Sequence, residues 1–210
     1  MPGNPVPDLS VLQRLRGIWP LLLLLALAMA TLAAATYVTL TPRGQTSGQT
    51  GASAVGGPFQ LQSSRGGLVN DTDMLGAPYL IFFGFTHCPD VCPTALAQIS
   101  QVLEAAGPKG AGLKVLFVTV DPERDTREML ASYLGSFDPR IIGLTGTLGE
   151  ITALLKAYRA YARKVPQPSG DYTMDHMTYV YLMDARGQFH STLNLDQTPQ
   201  KAAADWQKLR

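Results

Sequence analysis

Apolar and polar positions divide the chain into three parts. Residues 18–40 form a stretch of 23 residues without a charged side chain, residues 41–58 contain almost no large apolar side chain, and apolar runs separated by polar turns begin at Phe59. As a helix with a rise of about 1.5 Å per residue, the first stretch would span about 34 Å, which exceeds a hydrocarbon core of about 30 Å. The pattern therefore predicts one transmembrane helix over 18–40, a linker over 41–58 and a folded domain over 59–210.

Positive charges indicate how the predicted transmembrane helix is oriented. Arg14 and Arg16 precede it and Arg43 alone follows it, and basic residues concentrate on the cytoplasmic side of membrane segments. Residues 1–17 are therefore predicted to lie in the cytoplasm, and the folded domain in the periplasm, as in a single-pass protein of a bacterial inner membrane. The alternative is a signal peptide cleaved near Ala33-Ala34-Ala35, but the apolar run continues beyond that site and favours a retained anchor.

Residues 41–58 have the composition of a flexible linker. They are rich in Gly, Ser, Thr and Gln, and such a segment behaves as a coil because it cannot bury a core. A Gly-rich coil of this length reaches about 23 Å on average. The domain is therefore expected to stay close to the membrane.

Within residues 59–210, the spacing of apolar positions predicts an α/β domain with a mixed sheet. Alternation predicts an N-terminal hairpin that begins at 59–62 and turns at Gly66-Gly67. Apolar runs predict further strands at 79–85, 113–120, 141–144, 179–183 and 188–190. Helical spacing, with capping and stop signals, predicts helices at 93–106, 126–137, 147–161 and 200–209. This order is similar to a thioredoxin-like fold with an N-terminal β-hairpin extension, here preceded by one transmembrane helix.

Composition excludes one large class of partner. The chain has 17 basic and 16 acidic side chains, so it lacks the excess positive charge with which nucleic-acid-binding proteins attract phosphate. No nucleic acid is expected as a partner. The candidate chemistry lies in two cysteines and three histidines.

The two cysteines, Cys88 and Cys92, lie four positions apart, between the predicted strand 79–85 and the helix that begins at Pro93. A disulfide between them would close a very short loop and stabilise the domain by about 2 kcal/mol at most, which argues against a purely structural role. The start of a helix favours negative charge, so the pKa of the Cys92 thiol is expected to be lowered. Two reactive sulfurs can form a redox-active disulfide or bind one soft metal ion, and the pattern leaves both interpretations open.

A histidine would extend the range of metals that this pair can bind. Two thiolates favour Cu(I), and an added imidazole also suits Cu(II). His87 is expected to point away from its neighbour Cys88, and His190 falls near the end of the last strand as a surface residue. His176 lies on a segment predicted as a loop before strand 179–183, and in a thioredoxin-like fold that loop faces the cysteine turn. On the pattern alone, His176 is either a metal ligand or a structural residue.

Three segments resemble the Sco/SenC family in order and spacing. They are Gly84-Phe85-Thr86-His87-Cys88-Pro89-Asp90-Val91-Cys92-Pro93, Val120-Asp121-Pro122-Glu123-Arg124-Asp125-Thr126, and Asp171-Tyr172 with Asp175-His176 followed by Tyr181-Leu182. With the predicted anchor and the domain size, the resemblance covers nearly the whole chain. Members of the family are copper chaperones that help to build the binuclear copper centre of cytochrome c oxidase subunit II.

The resemblance implies that this chain binds copper, as Cu(I) or Cu(II), through Cys88, Cys92 and His176. It implies cytochrome c oxidase subunit II as the partner and names no upstream copper donor. The chain departs from the family at Met177, where a small polar residue is common. Met177 is expected to pack beneath the loop.

Three carboxylates near these residues have structural and functional interpretations. Asp90 is interpreted as shaping the turn between the cysteines, and Asp121 as an ordinary strand-to-turn exit. Asp175 either orients His176 through its ring N–H or is a solvated charge on the loop.

Three functions are compatible with these residues. The leading hypothesis is a metallochaperone that transfers copper. The second is a thiol–disulfide oxidoreductase that reduces the copper-site cysteines of the target, for which His176 would be dispensable. The third, a peroxidase with a thioredoxin fold, would leave the second cysteine and His176 without a role.

Overall fold

The structure is a computed structural model that describes residues 55–209, together with residue 20, residues 23–33 and residue 36. The described residues before position 55 are helical and fall within the predicted anchor 18–40. Among all described residues, no helix combines the length and the apolar character needed to span a membrane. The predicted cytoplasmic segment 1–17, the rest of the anchor and residues 41–54 of the linker lie outside the described residues.

A seven-stranded mixed sheet forms the centre of the part described from residue 55 onward. Its strand order is β2-β1-β5-β4-β3-β8-β9, in which β3, β4 and β5 are parallel to one another and the other neighbours are antiparallel. A separate two-stranded antiparallel sheet consists of β6 and β7. The strands are β1 (Gln60–Ser63), β2 (Leu68–Asn70), β3 (Tyr79–Gly84), β4 (Lys114–Thr119), β5 (Ile141–Thr145), β6 (Ala162–Pro166), β7 (Tyr172–His176), β8 (Val180–Met183) and β9 (Phe189–Leu193). The helices are α1 (Val91–Ala105), α2 (Arg127–Leu134), α3 (Leu148–Tyr158) and α4 (Pro199–Gln207).

Helices cover both faces of the large sheet, which explains why its central strands are continuous apolar runs. All six residues of β3 are buried. Tyr158 of α3 packs edge-on against Phe83, and the neighbouring Phe82 points to the opposite face because side chains alternate along a strand. On that face Phe82 packs against Phe117, which in turn contacts Tyr133 of α2. Helices α1 and α4 pack against each other.

The mixed α/β architecture and its thioredoxin-like order agree with the prediction. Each predicted strand and helix of the domain has a counterpart, with ends that differ by a few residues. The pair β1–β2 is the predicted N-terminal hairpin, and β1 also joins the edge of β5. The capping box of Thr147 and Glu150 opens α3 as expected. The predicted order therefore places the cysteine segment between β3 and α1.

Two predictions about the segment between α3 and β8 are wrong. Helix α3 ends at Tyr158 rather than near residue 161, because Arg159 adopts a left-handed conformation with φ 53°. Residues 172–176, predicted as part of a loop, form strand β7, which pairs with β6. Both strands are half-exposed and β6 contains Arg163 and Lys164, so neither has the apolar pattern of a buried strand.

The last four residues of the predicted linker lie against the domain. The backbone N–H of Gly56 donates to the carbonyl of Ala157 at 3.0 Å. Val55 is half-buried and packs against the core. Residues 55–58 are thus held by the end of α3.

Candidate metal centre

Three side chains from distant parts of the chain meet beside the start of α1. The sulfurs of Cys88 and Cys92 and a ring nitrogen of His176 all lie within 4.8 Å of one another. Cys92 Sγ lies 3.5 Å from His176 Nε2. The structure therefore brings together the three residues that the sequence analysis selected as metal ligands.

The turn from β3 into α1 places the two sulfurs. Strand β3 ends at Gly84 and α1 begins at Val91, so Cys92 lies in the first turn of the helix. The backbone N–H of Cys92 points to Cys88 Sγ at 3.4 Å. Both residues are free thiols; Cys88 is half-buried and Cys92 is fully buried. Cys88 is thus the sulfur that a partner can reach.

The expected lowering of the Cys92 pKa is wrong. Burial raises the pKa of the Cys92 thiol well above its ordinary value, and a backbone hydrogen bond at Phe85 offsets this only in part. The loss of water around a thiolate outweighs the favourable field of the helix start. In the metal-free protein Cys92 is therefore a protonated thiol, and binding of a soft metal ion releases its proton.

His176 is the last residue of β7, and its ring is fixed on two sides. Nδ1 lies 2.9 Å from the carbonyl oxygen of Met177, which can only accept, so we assign the ring proton to Nδ1. The ring packs edge-on against Phe85, with centroids 5.6 Å apart. The unprotonated Nε2 then faces the sulfurs, as in metal-binding histidines whose other nitrogen donates to a carbonyl.

Asp175 does not orient His176. Its carboxylate accepts a hydrogen bond from the Tyr161 hydroxyl at 3.3 Å and pairs with Arg163 at 3.4 Å. The first interpretation of Asp175 is therefore wrong, and the carbonyl of Met177 takes that role instead. The second interpretation agrees with the structure: Asp175 is an exposed charge, which pairs at the surface with Arg163.

The remaining candidates have structural roles. Met177 packs against the core and accepts a hydrogen bond from the Tyr181 hydroxyl at 3.3 Å. Asp90 precedes α1 and accepts from the Thr94 hydroxyl at 3.3 Å. His190 is exposed on β9. These placements agree with the expectations for all three residues.

His87 points away from the sulfurs, as expected, and leads to a residue that the sequence analysis missed. Its Nδ1 lies 3.1 Å from the hydroxyl of Thr86 and 3.9 Å from the buried carboxylate of Asp125. That carboxylate accepts from the Thr86 N–H at 3.0 Å and from the hydroxyls of Thr86 and Thr119 at 2.6 Å each. Asp125 therefore ties the cysteine turn to the end of β4. The position of Asp125 in the sequence, shortly after a strand, gave no sign of its contact with Thr86.

Asp121, interpreted as a strand exit, joins two more residues that sequence reasoning missed. The carboxylate is fully buried and pairs with Arg124. It also accepts a hydrogen bond from the Tyr172 hydroxyl at 2.9 Å. Asp121 thus connects the end of β4 to the first residue of β7, the strand that ends at His176.

Comparison with protein families gives one match across most of the chain. The family model described as SCO1/SenC matches residues 47–210. This range includes all three residues of the candidate metal centre.

Two relatives show how far the similarity extends. The mitochondrial SCO1 homolog of Mus musculus is 44% identical over 138 residues, which cover 64% of this chain and 49% of the relative. The SCO2-like protein of Rickettsia felis is 32% identical over 207 residues, which cover 96% of this chain and 95% of the relative. This chain therefore spans about half the length of the mitochondrial relatives that it matches.

Solved structures share the fold. Bradyrhizobium japonicum ScoI, solved with copper bound, is 52% identical with a TM-score of 0.73, and the match covers 75% of this chain and 100% of that one. BsSco, described as having a disulfide switch and as a member of the Sco family of cytochrome c oxidase assembly proteins, is 25% identical with a TM-score of 0.59. That match covers 74% of this chain and 91% of BsSco.

Proposed function

The chain belongs to the SCO1/SenC family, and on that premise we propose that it is a copper chaperone for cytochrome c oxidase. It binds one copper ion through Cys88, Cys92 and His176 and delivers it to the binuclear copper site of subunit II. The observation that carries this proposal is the convergence of two sulfurs and one unprotonated imidazole nitrogen within 4.8 Å. The copper-bound structure of a relative that is 52% identical supports the choice of metal.

The donor set suits copper as cargo. Thiolates are soft ligands that select Cu(I), and the imidazole makes the same site suitable for Cu(II). The half-buried sulfur of Cys88 provides a place where a ligand of the acceptor can approach the metal, while Cys92 is buried behind it. A site with one accessible and one buried sulfur can hold copper and still pass it on by ligand exchange.

The same proposal gives the chain a location. Residues 18–40 anchor it as a single-pass protein in a bacterial inner membrane, residues 1–17 lie in the cytoplasm, and residues 41–58 connect the anchor to a periplasmic domain over 59–210. The uncharged 23-residue stretch and the arginines before it support this arrangement. A domain tethered in the periplasm is close to membrane-bound subunit II.

Copper binding and transfer test the proposal together. Wild type is expected to bind one copper ion per domain, Cys88→Ala and Cys92→Ala are expected to lose it, and His176→Ala is expected to bind Cu(II) far more weakly. His190→Ala, at an exposed histidine on β9, is the matched control that should bind normally. Loaded wild type should pass copper to an apo, reduced subunit II domain. Unchanged Cu(II) affinity and spectrum in His176→Ala would disprove the three-ligand site.

A thiol–disulfide reductase is the second candidate, favoured by the unequal burial of the two free thiols. The Cys88 thiolate would attack one sulfur of a target disulfide, and the other target sulfur would leave as a thiolate. The buried Cys92 thiol would then lose its proton to a released target sulfur and attack Cys88, which releases the second target thiolate and leaves this domain as the disulfide. Two electrons pass to the target, and the oxidised pair can no longer bind copper.

Reduction of an oxidised subunit II peptide separates the two functions. If reduction is the main role, His176→Ala should reduce the peptide as fast as wild type, and Cys92→Ala should stop at the mixed disulfide. If copper transfer is the main role, His176→Ala should fail in transfer whatever its rate of reduction. A peptide that stays oxidised with wild type excludes the reductase.

A further inference from the structure

The hairpin that carries His176 is not part of the large sheet. Strands β6 and β7 pair only with each other among the described residues. Side-chain contacts and the short connections to α3 and β8 therefore set the position of the hairpin relative to the cysteines. Apart from the contact between Cys92 and His176 and the contacts with the flanking residues Tyr161 and Met177, the side-chain hydrogen bonds that join residues 162–176 to the rest of the described domain run to Asp121, Glu123 and Arg124.

Tyr172, the first residue of β7, is held on three sides. Its hydroxyl donates to the fully buried carboxylate of Asp121 at 2.9 Å. The Arg124 guanidinium stacks on its ring, with Cζ 3.8 Å from the centroid, and Nη1 of Arg124 donates to its backbone carbonyl at 3.0 Å. The ammonium of Lys164 lies 4.5 Å from the same ring. Such a cluster combines charge-assisted hydrogen bonds with cation–π contacts.

The hydroxyl of Tyr172 remains a donor under ordinary conditions. Burial, and then its hydrogen bond to Asp121, raise the pKa of Tyr172 above its ordinary value. Asp121 in turn pairs with Arg124. Tyr172, Asp121 and Arg124 are therefore linked through the buried carboxylate. If the tyrosine hydroxyl is removed, one oxygen of Asp121 stays buried and loses its hydrogen-bond donor.

The geometry of β7 links the position of Tyr172 to that of His176 in the candidate metal centre. Residues two apart on a strand share a face, so Tyr172, Met174 and His176 lie on one face of β7. Met174 packs against the core and His176 packs against Phe85. Tyr172 and His176 are four positions apart on the strand, a distance of about 13 Å. A strand that is fixed at Tyr172 therefore presents His176 at a fixed place.

We propose that Tyr172, held by Asp121 and Arg124, is a positioning residue for copper binding because it seats β7 so that His176 meets the two sulfurs. This inference rests on the copper-binding function proposed above. It adds residues that contact neither copper nor the sulfurs. It also gives a role to residues 120–126, one of the three segments that carry the family resemblance. The chemistry of the cysteines does not explain that segment.

The first test is Tyr172→Phe in the full chain, which removes the hydroxyl and keeps the ring. The dissociation constant for Cu(I), measured by competition with a chromophoric chelator, should rise about tenfold, at the lower end of the loss seen for outer partners of metal ligands. The sulfur-to-copper charge-transfer band of the Cu(II) form should shift. Tyr179→Phe, at an exposed tyrosine outside the cluster, should leave both unchanged.

A double-mutant cycle distinguishes positioning of His176 from general loss of structure. In a His176→Ala background, where the two thiolates still hold Cu(I), Tyr172→Phe should add no further loss. The coupling free energy between Tyr172 and His176 would then be about 1.4 kcal/mol, which corresponds to the tenfold change in affinity. An equal loss in both backgrounds would show that Tyr172 acts through stability alone and would overturn the proposal.

Amide hydrogen exchange of the metal-free protein supplies an independent readout. Residues 172–176 should exchange faster in Tyr172→Phe than in wild type, while β3 keeps its protection. Arg124→Lys, which keeps the charge and loses the stacked plane, should have the same effect. Unchanged affinity, spectrum and exchange in Tyr172→Phe would refute the positioning role. Wild type that binds no copper would instead refute the proposed function.

Discussion

At the scale of single residues, the position of the Cys92 sulfur depends on a neighbour without a side chain. A Cβ at Gly84 would lie 2.6 Å from Phe117 Cε2 and 2.9 Å from Cys92 Sγ. Both distances are too short for carbon or sulfur in van der Waals contact. Gly84 is therefore required at the end of β3 by the approach of α1 and not by its backbone conformation.

We expect Gly84→Ala to weaken copper binding and to destabilise the domain by about 1–3 kcal/mol, the usual cost of an overfilled core. Copper titration and urea unfolding measure the two effects. Gly149→Ala is the matched control, since a Cβ there meets no atom closer than 4.0 Å and alanine favours the helix. Wild-type affinity and stability in Gly84→Ala would show that α1 shifts without cost.

The buried carboxylate of Asp125 gives a second prediction at this scale. Asp125→Asn keeps the shape but removes the charge and leaves one acceptor oxygen, instead of two, for the donors from Thr86 and Thr119. A loss of about 1–3 kcal/mol in the free energy of unfolding is expected, and copper affinity should fall because Thr86 leads into the cysteine turn. Urea unfolding checks this against Asp196→Asn, an exposed control. Equal stability of the two variants would contradict it.

The sequence was sufficient to select the candidate ligands but not the residues that hold them. Cys88 and Cys92 could be selected because their spacing lies within one short segment, and His176 because of its place before a strand and the family resemblance. Asp125 reaches Thr86 across 39 residues, and Tyr172 reaches Asp121 across 51. Such contacts depend on how strand ends meet in space, for which a single sequence contains no periodic signal.

At the scale of elements, α3 ends without the residue that usually ends a helix. Arg159 adopts φ 53° at the C-cap, a conformation that glycine adopts without cost and other residues adopt at about 1–2 kcal/mol. The expected stop signal was therefore absent from the sequence, and the helix was predicted too long. The chain then turns directly into β6.

We expect Arg159→Gly to raise the free energy of unfolding by up to about 1 kcal/mol, because relief of the left-handed conformation exceeds the greater freedom of glycine in the unfolded chain. Arg159→Ala removes the same exposed side chain but keeps the cost, so it should give no gain. Urea unfolding of the two variants compares them directly. A gain in Arg159→Ala equal to that in Arg159→Gly would assign the effect to the side chain.

Strands could be predicted from the sequence where burial requires a recognisable run of apolar residues. Strands β3 and β4 are continuous apolar runs because helices cover both faces of the sheet. Within the described part of the chain, strands β6 and β7 pair only with each other. Both are half-exposed, so their sequences resemble those of loops. The pattern therefore missed the hairpin that carries His176, the third candidate ligand.

At the scale of the whole molecule, the metal centre joins two separate sheets. The cysteines follow β3 of the large sheet, and His176 ends the two-stranded sheet. Cys92 and His176 are 84 residues apart in the chain. A metal ion held by both would therefore act as a cross-link between the large sheet and the hairpin.

Copper should stabilise the folded domain because the unfolded chain does not hold the three ligands together. At a free copper concentration of one hundred times the dissociation constant, the expected gain is about 2.7 kcal/mol. For a domain of this size that corresponds to a rise in Tm of about 5–11 °C. Thermal unfolding of the reduced protein in a buffered Cu(I) solution, without oxygen, measures this shift.

His176→Ala and the oxidised protein test whether the gain in stability comes from copper at the proposed site. At the same free copper concentration His176→Ala should gain less than wild type, because its affinity is lower and its hairpin is no longer joined to the cysteines by the metal. Protein in which Cys88 and Cys92 form a disulfide should gain nothing. A Tm shift of equal size in the oxidised protein would place the copper somewhere other than between β3–α1 and the hairpin.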